Sequence, residues 1–220
     1  PETAAALKPY YPYGCKRPTF HDEFLPTFNK PNVALIDTAP LGVTEINENG
    51  VVHNEKEYPV DVLIYATGFQ WMATSTFNMI TGKNGKTLQQ KWANEGTKTF
   101  LGLHSNGFPN LFIISGPQGG GGQFNFTRII ESHSDYVVWI LKTLKEKGAT
   151  QVDVEMSAEN DYAEHCKEAD INTRPLRDCI SYYNGHGEGE PGSLAYYGGA
   201  QKWHEQREMA QRTLKPYIFD

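Results

Sequence analysis

Two adjacent cations near the start of the chain, Lys16 and Arg17, could bind negatively charged groups. They lie in the stretch "GCKRP", a short loop that ends in a proline. The planar guanidinium of Arg17 suits a developing anion, and the ammonium of Lys16 acts as a point charge for a phosphate. Because Lys and Arg side chains are mostly exposed in any protein, a purely solvated pair is the alternative interpretation.

A run of four glycines, residues 119–122, stands between an apolar stretch and the start of a predicted helix. Glycines at the opening of a helix leave its backbone N–H groups and positive end accessible, which suits a phosphate, an oxyanion or the electron-rich edge of a ring system. The run matches neither the G-x-G-x-x-G fingerprint nor the phosphate-binding loop pattern. Flavin or nucleotide contact and a flexible surface loop are therefore equal alternatives on spacing alone.

The apolar residues 62–65 end abruptly in Ala66, Thr67 and Gly68. Such small residues leave room above the carboxyl end of a buried strand, where open α/β sheets bind their ligands. A close crossing between a helix and a strand would use the same small residues, so both interpretations stay open.

Metal and nucleophile sites find no support in the sequence. The seven histidines form no set with metal-ligand spacing. Ser115 lies in "SGP" rather than in the G-x-S-x-G pattern of hydrolases. Cys15, Cys166 and Cys179 include no C-x-x-C pair, so they are expected to be reduced thiols.

Charge and hydropathy argue against two further classes. The formal net charge is −6, without a helix-spaced cluster of Lys or Arg, which argues against nucleic-acid binding. No apolar run approaches the length of about 20 residues that a membrane helix needs, and the start shows no charged-then-apolar signal pattern. A cytoplasmic protein without membrane segments is therefore expected.

The elements that must position these residues can be predicted from hydrophobic periodicity and turn residues. The clearest helix begins near Phe126, has apolar residues three or four positions apart and ends at Gly148 after three lysines. The other predicted helices are 88–95, a helix from a Ser157 cap to about 176, and 201–215. The predicted strands are 32–36, 41–46, 50–52 with a hairpin turn at "NENG", and the buried strands 62–65 and 111–114.

Four stretches taken together are more specific than any one of them. They are "YPYGCKRPTFHDEFLPTFNKPNVALIDT", "DVLIYATGF", "FLGLHSNGFPNLFIISGP" and "NFTRIIESHSDYVVWI". In this order and at this spacing they resemble the C-terminal part of the type I Baeyer-Villiger monooxygenases, which use FAD and NADPH. The resemblance covers most of the chain and weakens after about Asn184.

The resemblance implies an α/β fold, the C-terminal part of a flavoprotein monooxygenase with two Rossmann-like dinucleotide-binding domains. Short β-hairpin elements and a long helix after the glycine-rich loop are expected within it. The implied domains are residues 1–28 as the tail of the NADPH-binding domain, 29–60 as linker and short strands, 61–175 as the second half of the FAD-binding domain, and 176–220 as a mobile loop and C-terminal helix.

The resemblance also implies roles for individual residues. Arg17 matches the family's catalytic arginine, which is expected to stabilise negative charge during oxygen transfer. Lys16 matches a residue that approaches the 2′-phosphate of NADPH, and Tyr182 lies where the family commonly has a Trp over NADPH. The remaining cofactor-binding residues, expected against FAD, are Ala66, Thr67, Gly68, Gly116, Asn125 and Phe126.

The implied activity is insertion of one oxygen atom of O2 into a ketone, giving an ester or lactone with NADPH as reductant. The family's N-terminal G-x-G-x-x-G motif for FAD and its second such motif for NADPH are not found in these 220 residues, and the one match to the bare pattern, "GEGEPG" at 187–192, lies in a Gly-rich stretch after the regions that carry the resemblance. A missing N-terminal FAD- and NADPH-binding segment is therefore the expected partner, and the chain alone is expected to be inactive. The alternatives are an N- or S-oxidising flavin monooxygenase and a non-catalytic fragment.

Overall fold

The computed structural model describes residues 2–12, 15–16, 19–68, 75–120, 125–170, 181 and 194–220. Arg17 and Tyr182, two of the predicted site residues, lie outside the described residues. The chain divides into two compact units, one of Pro1–Tyr10 with Pro18–Phe69 and one of Tyr11–Arg17 with Gln70–Asp220. The roles predicted for the four sequence domains remain predictions.

The first unit is built around a small antiparallel sheet with the strand order β1-β2-β3. Its elements are α1 (Glu2–Ala6), α2 (Phe24–Thr27), β1 (Glu45–Ile46), β2 (Gly50–His53) and β3 (Lys56–Pro59). The side chain of Asn47 accepts hydrogen bonds from the backbone N–H groups of Asn49 and Gly50. These bonds close the turn between β1 and β2, which confirms the hairpin predicted at "NENG".

The strand β3 was not predicted, although a two-residue turn leads into it. Asn54 and Glu55 between β2 and β3 have φ values of 48° and 62°. Two consecutive residues with positive φ are what a two-residue hairpin of the favoured twist requires. The sequence signal was weak because this turn lacks the glycine that usually accompanies the pattern.

The second unit contains the longest helices and the main core. Its elements are α3 (Ser75–Met79), α4 (Leu88–Glu95), α5 (Phe126–Lys147), β4 (Val152–Val154), α6 (Met156–Asp170), α7 (Ala200–Thr213) and β5 (Tyr217–Phe219). Strands β4 and β5 pair antiparallel. The core unites Tyr136 and Ile140 of α5 with Val152, Tyr162 and Trp203 from the other elements.

Two predicted helices begin and end where their capping residues indicate. Thr87 caps α4 in a reciprocal capping box with Gln90. Asn125 caps α5, and Gly148 ends it with a φ of 67°. The prediction for α6 was wrong at its start, because Ser157 lies in the first turn and not at the cap. Helix α7 lies within two residues of its predicted bounds.

Three predicted strands are not strands in the structure. Residues 32–36, 62–65 and 111–114 carry no strand, and the strand predicted at 41–46 is reduced to β1. Residues 62–65 are also exposed rather than buried, with Val62 at 75% and Ile64 at 83%. A strand requires a neighbour that pairs with its backbone. Among the described residues, no strand is paired with these three segments.

A buried ion pair ties α4 to α6. The Lys91 Nζ lies 2.7 Å from Oε2 of Glu159, and their side chains are 8% and 2% exposed. Lys91 also donates to Oγ of Ser105 and to the backbone oxygen of Asn106. Glu159 accepts from Oγ of Ser105 and from the backbone N–H of Asn106. The pair is thus well hydrogen-bonded, as a buried charge must be to offset its loss of hydration.

Candidate functional site

The loop of residues 115–120 and the start of α5 form the best defined part of the predicted site. A Cβ at Gly116 would lie 2.6 Å from the carbonyl oxygen of Gly102 and 2.7 Å from Cγ2 of Ile113. A Cβ at Gly119 would lie 2.8 Å from Cε1 of His133. Both positions therefore require glycine because the chain's own atoms approach closely.

The same loop packs directly on the first turns of α5. A Cβ at Gly120 would lie 2.5 Å from Cδ1 of Ile129, one turn before His133. The described part of the glycine run is therefore not a flexible surface loop. Because glycines have no side chains, this part of the loop can pack closely on the helix. Neither predicted alternative, cofactor contact or a flexible surface loop, included this packing. Residues 121–124 lie outside the described residues.

Buried polar groups fix the loop from its other side. The side chain of Gln118 is 2% exposed. Its Oε1 accepts from the backbone N–H of Thr99 at 2.9 Å and from Oγ1 of Thr99 at 3.0 Å. Its Nε2 donates to the oxygen of Thr97 at 3.0 Å. The Tyr162 hydroxyl donates to the Gln118 carbonyl oxygen at 2.7 Å. Gln118 therefore satisfies its polar groups internally and holds the loop against the core.

His133 connects the loop to α5. The backbone N–H of Ser115 donates to His133 Nδ1 at 2.9 Å. The imidazole is fully buried and lies 5.2 Å from the Trp203 ring at an interplanar angle of 32°. Burial lowers the pKa of His133 to about 4, the Gly119 backbone acts in the opposite direction, and Arg207 adds to the lowering. The ring is therefore neutral at pH 7.

Sequence reasoning did not select His133, although a signal for its burial was present. It follows Ile129 by four positions and precedes Tyr136 and Ile140 by three and seven, all on the buried face of α5. A histidine on such a face is expected to have a hydrogen-bond partner. Only the tertiary structure supplies that partner, because Ser115 lies 18 residues earlier in the chain.

The start of α5 satisfies its own backbone donors. Oδ1 of Asn125 accepts from the N–H of Thr127 at 3.0 Å and from the N–H of Arg128 at 3.3 Å. These donors are therefore engaged by the cap rather than directed at an external anion. The side chain of Phe126 is 50% exposed and can contact a ligand by its ring.

Cys15 and Lys16 lie in a short segment of the second unit. Lys16 is exposed, and Cys15 beside it is buried. Cys15 is disulfide-bonded, so the prediction of a reduced thiol was wrong for this residue. The absence of a C-x-x-C pair excludes only cysteines that are close in sequence, whereas a disulfide can join cysteines far apart in the chain. Cys166 is free and buried, and burial raises the pKa of its thiol to about 12.

The Ala66, Thr67 and Gly68 stretch is exposed and has no regular secondary structure, and it belongs to the first unit. Gly68 has a φ of 96°, and no atom lies within 4 Å of the position that its Cβ would take. A flat group can therefore approach the backbone there, which fits the ring system of a flavin. Lys16, Gly116, Asn125 and Phe126 belong to the second unit.

The described parts of the chain hold neither a cluster of metal ligands nor a helix suited to a membrane. No group of three or more His, Cys, Asp or Glu side chains within these ranges is arranged to hold a metal ion. No helix among the same residues is both long enough and apolar enough to cross a membrane.

Similar proteins place this fold and sequence in a known class. The polycyclic ketone monooxygenase from the fungus Thermothelomyces thermophila matches with a TM-score of 0.85 and 32% identity, over 100% of this chain and 37% of that chain. The structure of the OTEMO complex with FAD and NADP matches with a TM-score of 0.80 and 26% identity, over 100% of this chain and 41% of that chain. Baeyer-Villiger monooxygenase peniC of Penicillium patulum is 38% identical over 227 residues, which are 97% of this chain and 37% of the relative. No family model matches.

The fold is accordingly that of the C-terminal part of a flavoprotein monooxygenase with two dinucleotide-binding domains. By sequence, the chain corresponds to a C-terminal portion of the Baeyer-Villiger monooxygenase family. It spans about two fifths of the length of the curated relatives that it matches.

Proposed function

We propose that this chain is part of a flavin-dependent monooxygenase that inserts one oxygen atom of O2 into a ketone and produces an ester or lactone. The observation that carries the proposal is the 38% identity to a Baeyer-Villiger monooxygenase over 97% of this chain. The names of the relatives favour ketone oxidation over N- or S-oxidation.

The cofactors of the complete enzyme are FAD and NADPH. One related structure holds FAD and NADP. When bound and reduced by NADPH, FAD would supply the electrons that activate O2. The residues of this chain proposed to contact FAD are Ala66, Thr67, Gly68, Gly116, Asn125 and Phe126. The open space at Gly68 and the exposed ring of Phe126 support contact with a flat ring system.

Three further residues are proposed to contact the reacting ketone or NADPH. The Arg17 guanidinium stabilises the negative charge that develops on the ketone oxygen when its carbonyl carbon is attacked. Lys16 pairs with the 2′-phosphate of NADPH as a point charge, which its exposure permits. Tyr182 provides an aromatic contact to NADPH. Arg17 and Tyr182 carry these roles from the sequence resemblance alone.

The chain requires a partner segment that carries the rest of the FAD- and NADPH-binding domains. Among the described residues, every buried apolar side chain belongs to the second unit. In the first unit, residues 60–65 include exposed apolar side chains in a segment without strand pairing. Such a segment becomes a stable strand when a neighbouring strand satisfies its backbone and covers its side chains. The cytoplasmic location of the enzyme also remains a prediction.

A flavin titration tests the proposal. The chain is purified alone and together with a co-expressed N-terminal segment of the same enzyme, and FAD binding is followed by quenching of FAD fluorescence. Binding is expected only in the complex, because the family's two N-terminal G-x-G-x-x-G motifs are not among these 220 residues, and the match at 187–192 lies outside the stretches that resemble the family. Absence of binding in both samples would favour the non-catalytic alternative.

Turnover of a ketone by the complex then tests the role of Arg17. Arg17→Ala is expected to reduce kcat by about 100-fold or more while FAD binding persists, because a fixed cation near developing charge is lost. Lys142→Ala, which removes an exposed cation on α5, is the matched control and retains activity. Equal rates for Arg17→Ala and the control would refute the assigned role.

A further inference from the structure

We infer that His133 is a positioning residue that sets the loop of residues 115–120 relative to the start of α5. This inference rests on the proposed function, because it concerns the two elements expected to face FAD. The loop contains Gly116, and the start of α5 contains Asn125 and Phe126. His133 touches both elements, since it belongs to α5 and accepts a hydrogen bond from the loop.

The first argument is the geometry of the hydrogen bond. The N–H of Ser115 donates to Nδ1 of His133 at 2.9 Å, so the proton of the neutral ring resides on Nε2. Ser115 has a φ of 55°, an uncommon conformation for a non-glycine residue. A bond from its N–H to a buried acceptor holds this conformation immediately before Gly116.

The second argument is the way in which the ring itself is held. The imidazole lies 5.2 Å from the Trp203 ring on α7, and Gly119 approaches Cε1 so closely that no Cβ fits there. The ring is therefore clamped between the loop and α7. A movement of His133 would move the loop, because packing leaves no space to absorb it.

The third argument is the charge state of the site. Arg207 of α7 donates to Oγ of Ser132, next to His133, and lies over the Trp203 ring. Burial and the neighbouring Arg207 cation both favour the neutral imidazole of His133. Nδ1 is consequently available as an acceptor throughout the neutral pH range.

Two substitutions of His133 distinguish the effect of its hydrogen-bond acceptor from the effect of its ring. His133→Phe retains an aromatic ring beside Trp203 and removes the acceptor. His133→Asn removes the ring and places an amide oxygen close to the position of Nδ1. His133→Gln, whose amide reaches toward the Nε2 position, is a second variant without an acceptor for Ser115 should His133→Phe not fold.

Two readouts are measured on the complex with the N-terminal segment. FAD affinity and the visible flavin spectrum report the cofactor site, and hydrogen exchange of the Ser115 amide reports the loop without any cofactor. His133→Phe is expected to weaken FAD binding about tenfold, to shift the flavin spectrum and to accelerate Ser115 exchange by at least about tenfold. His133→Asn is expected to stay within about threefold of the unmodified complex in both readouts.

Unchanged FAD affinity and spectrum in the folded His133→Phe complex would overturn the inference. A loss in His133→Asn that equals or exceeds the loss in His133→Phe would also overturn it, since the effect would then not depend on the acceptor. Absence of FAD binding in the unmodified complex would instead refute the proposed function, and this inference with it. The Ser115 exchange rates would still show whether the hydrogen bond to His133 exists.

Discussion

Single residues in the loop of residues 115–120 lie so close to neighbouring atoms that a larger side chain would not fit. Gly119 lies against the His133 ring, and Gly116 lies against the carbonyl oxygen of Gly102. Gln118 adopts a φ of 63° while its side chain bonds to Thr97 and Thr99. At this scale, conformation is set by steric exclusion and by hydrogen bonds to residues distant in the chain.

Gly119→Ala is expected to destabilise the second unit by about 1–3 kcal/mol, because its Cβ would overlap Cε1 of His133 and the ring has no room to retreat. The free energy of unfolding from urea titration measures the effect. Ser134→Ala on the exposed side of α5 is the control and is expected to change stability by less than about 0.5 kcal/mol. Equal stability of the two variants would contradict the close packing described.

Two buried histidines make stability depend on pH. Burial lowers the pKa of His104 to about 3, with a further lowering by His133, and burial lowers the pKa of His133 to about 4. Both rings bind a proton near pH 6.5 in the unfolded chain, so their contribution to stability is complete above that pH. It is lost as the pH falls, down to about 4 for His133 and about 3 for His104.

Urea titrations at pH 7.0, 6.0 and 5.0 measure this dependence. Each histidine adds a slope that approaches about 1.4 kcal/mol per pH unit once the unfolded imidazole is protonated. His104→Leu is expected to reduce the slope, because Leu does not titrate. The same slope in both proteins would show that His104 binds its proton equally in the folded and unfolded states.

At the scale of elements, helices were predicted well and strands poorly. Helix α4 has its predicted bounds, and α5 begins at Phe126 and ends before Gly148 as predicted. Helical hydrogen bonds and caps are local, so the sequence of the segment contains their determinants. The strand predictions at residues 62–65 and 111–114 were wrong, because a strand forms only when its backbone pairs with a second segment.

The Lys91–Glu159 pair joins two helices that no sequence pattern related. Lys91→Met is expected to cost about 3–5 kcal/mol of unfolding free energy, since the Glu159 carboxylate would stay buried without its cation. The double variant Lys91→Met with Glu159→Leu is expected to recover most of that loss. A double variant as unstable as the sum of both single variants would contradict coupling between the two charges.

At the scale of the whole molecule, apolar residues are distributed unequally between the units. The buried apolar side chains among the described residues lie in the second unit, whereas Val60, Val62 and Ile64 of the first are exposed. A unit that buries so little apolar surface gains little stability by itself. It is therefore expected to depend on contact with a further protein segment.

The isolated chain is accordingly expected to self-associate through residues 60–65. Sedimentation velocity should show an oligomer fraction that rises with concentration and falls when Val62 and Ile64 are both changed to Ser. Met209→Ser, which removes a single exposed apolar side chain of α7, is the control and should leave the fraction unchanged. A fraction equal in all three proteins would show that residues 60–65 are not the associating surface.

Several features followed from the sequence by itself. The hairpin at "NENG" and helices α4 and α5 are encoded by turn residues, caps and periodicity, which act over a few positions. The order and spacing of the four longer stretches that contain "GCKRP", "ATG", "SGP" and "NFTRII" supported the resemblance to the family that the comparisons identify.

Other features were decided only by tertiary structure. The contact of His133 with Ser115, the packing of Gly119, the Lys91–Glu159 pair and the disulfide of Cys15 were not predicted. Each joins residues that are separated along the chain, or depends on an approach that local periodicity does not specify. Exposure of residues 62–65 has the same cause, because burial requires a partner and an apolar sequence only provides the surface to be buried.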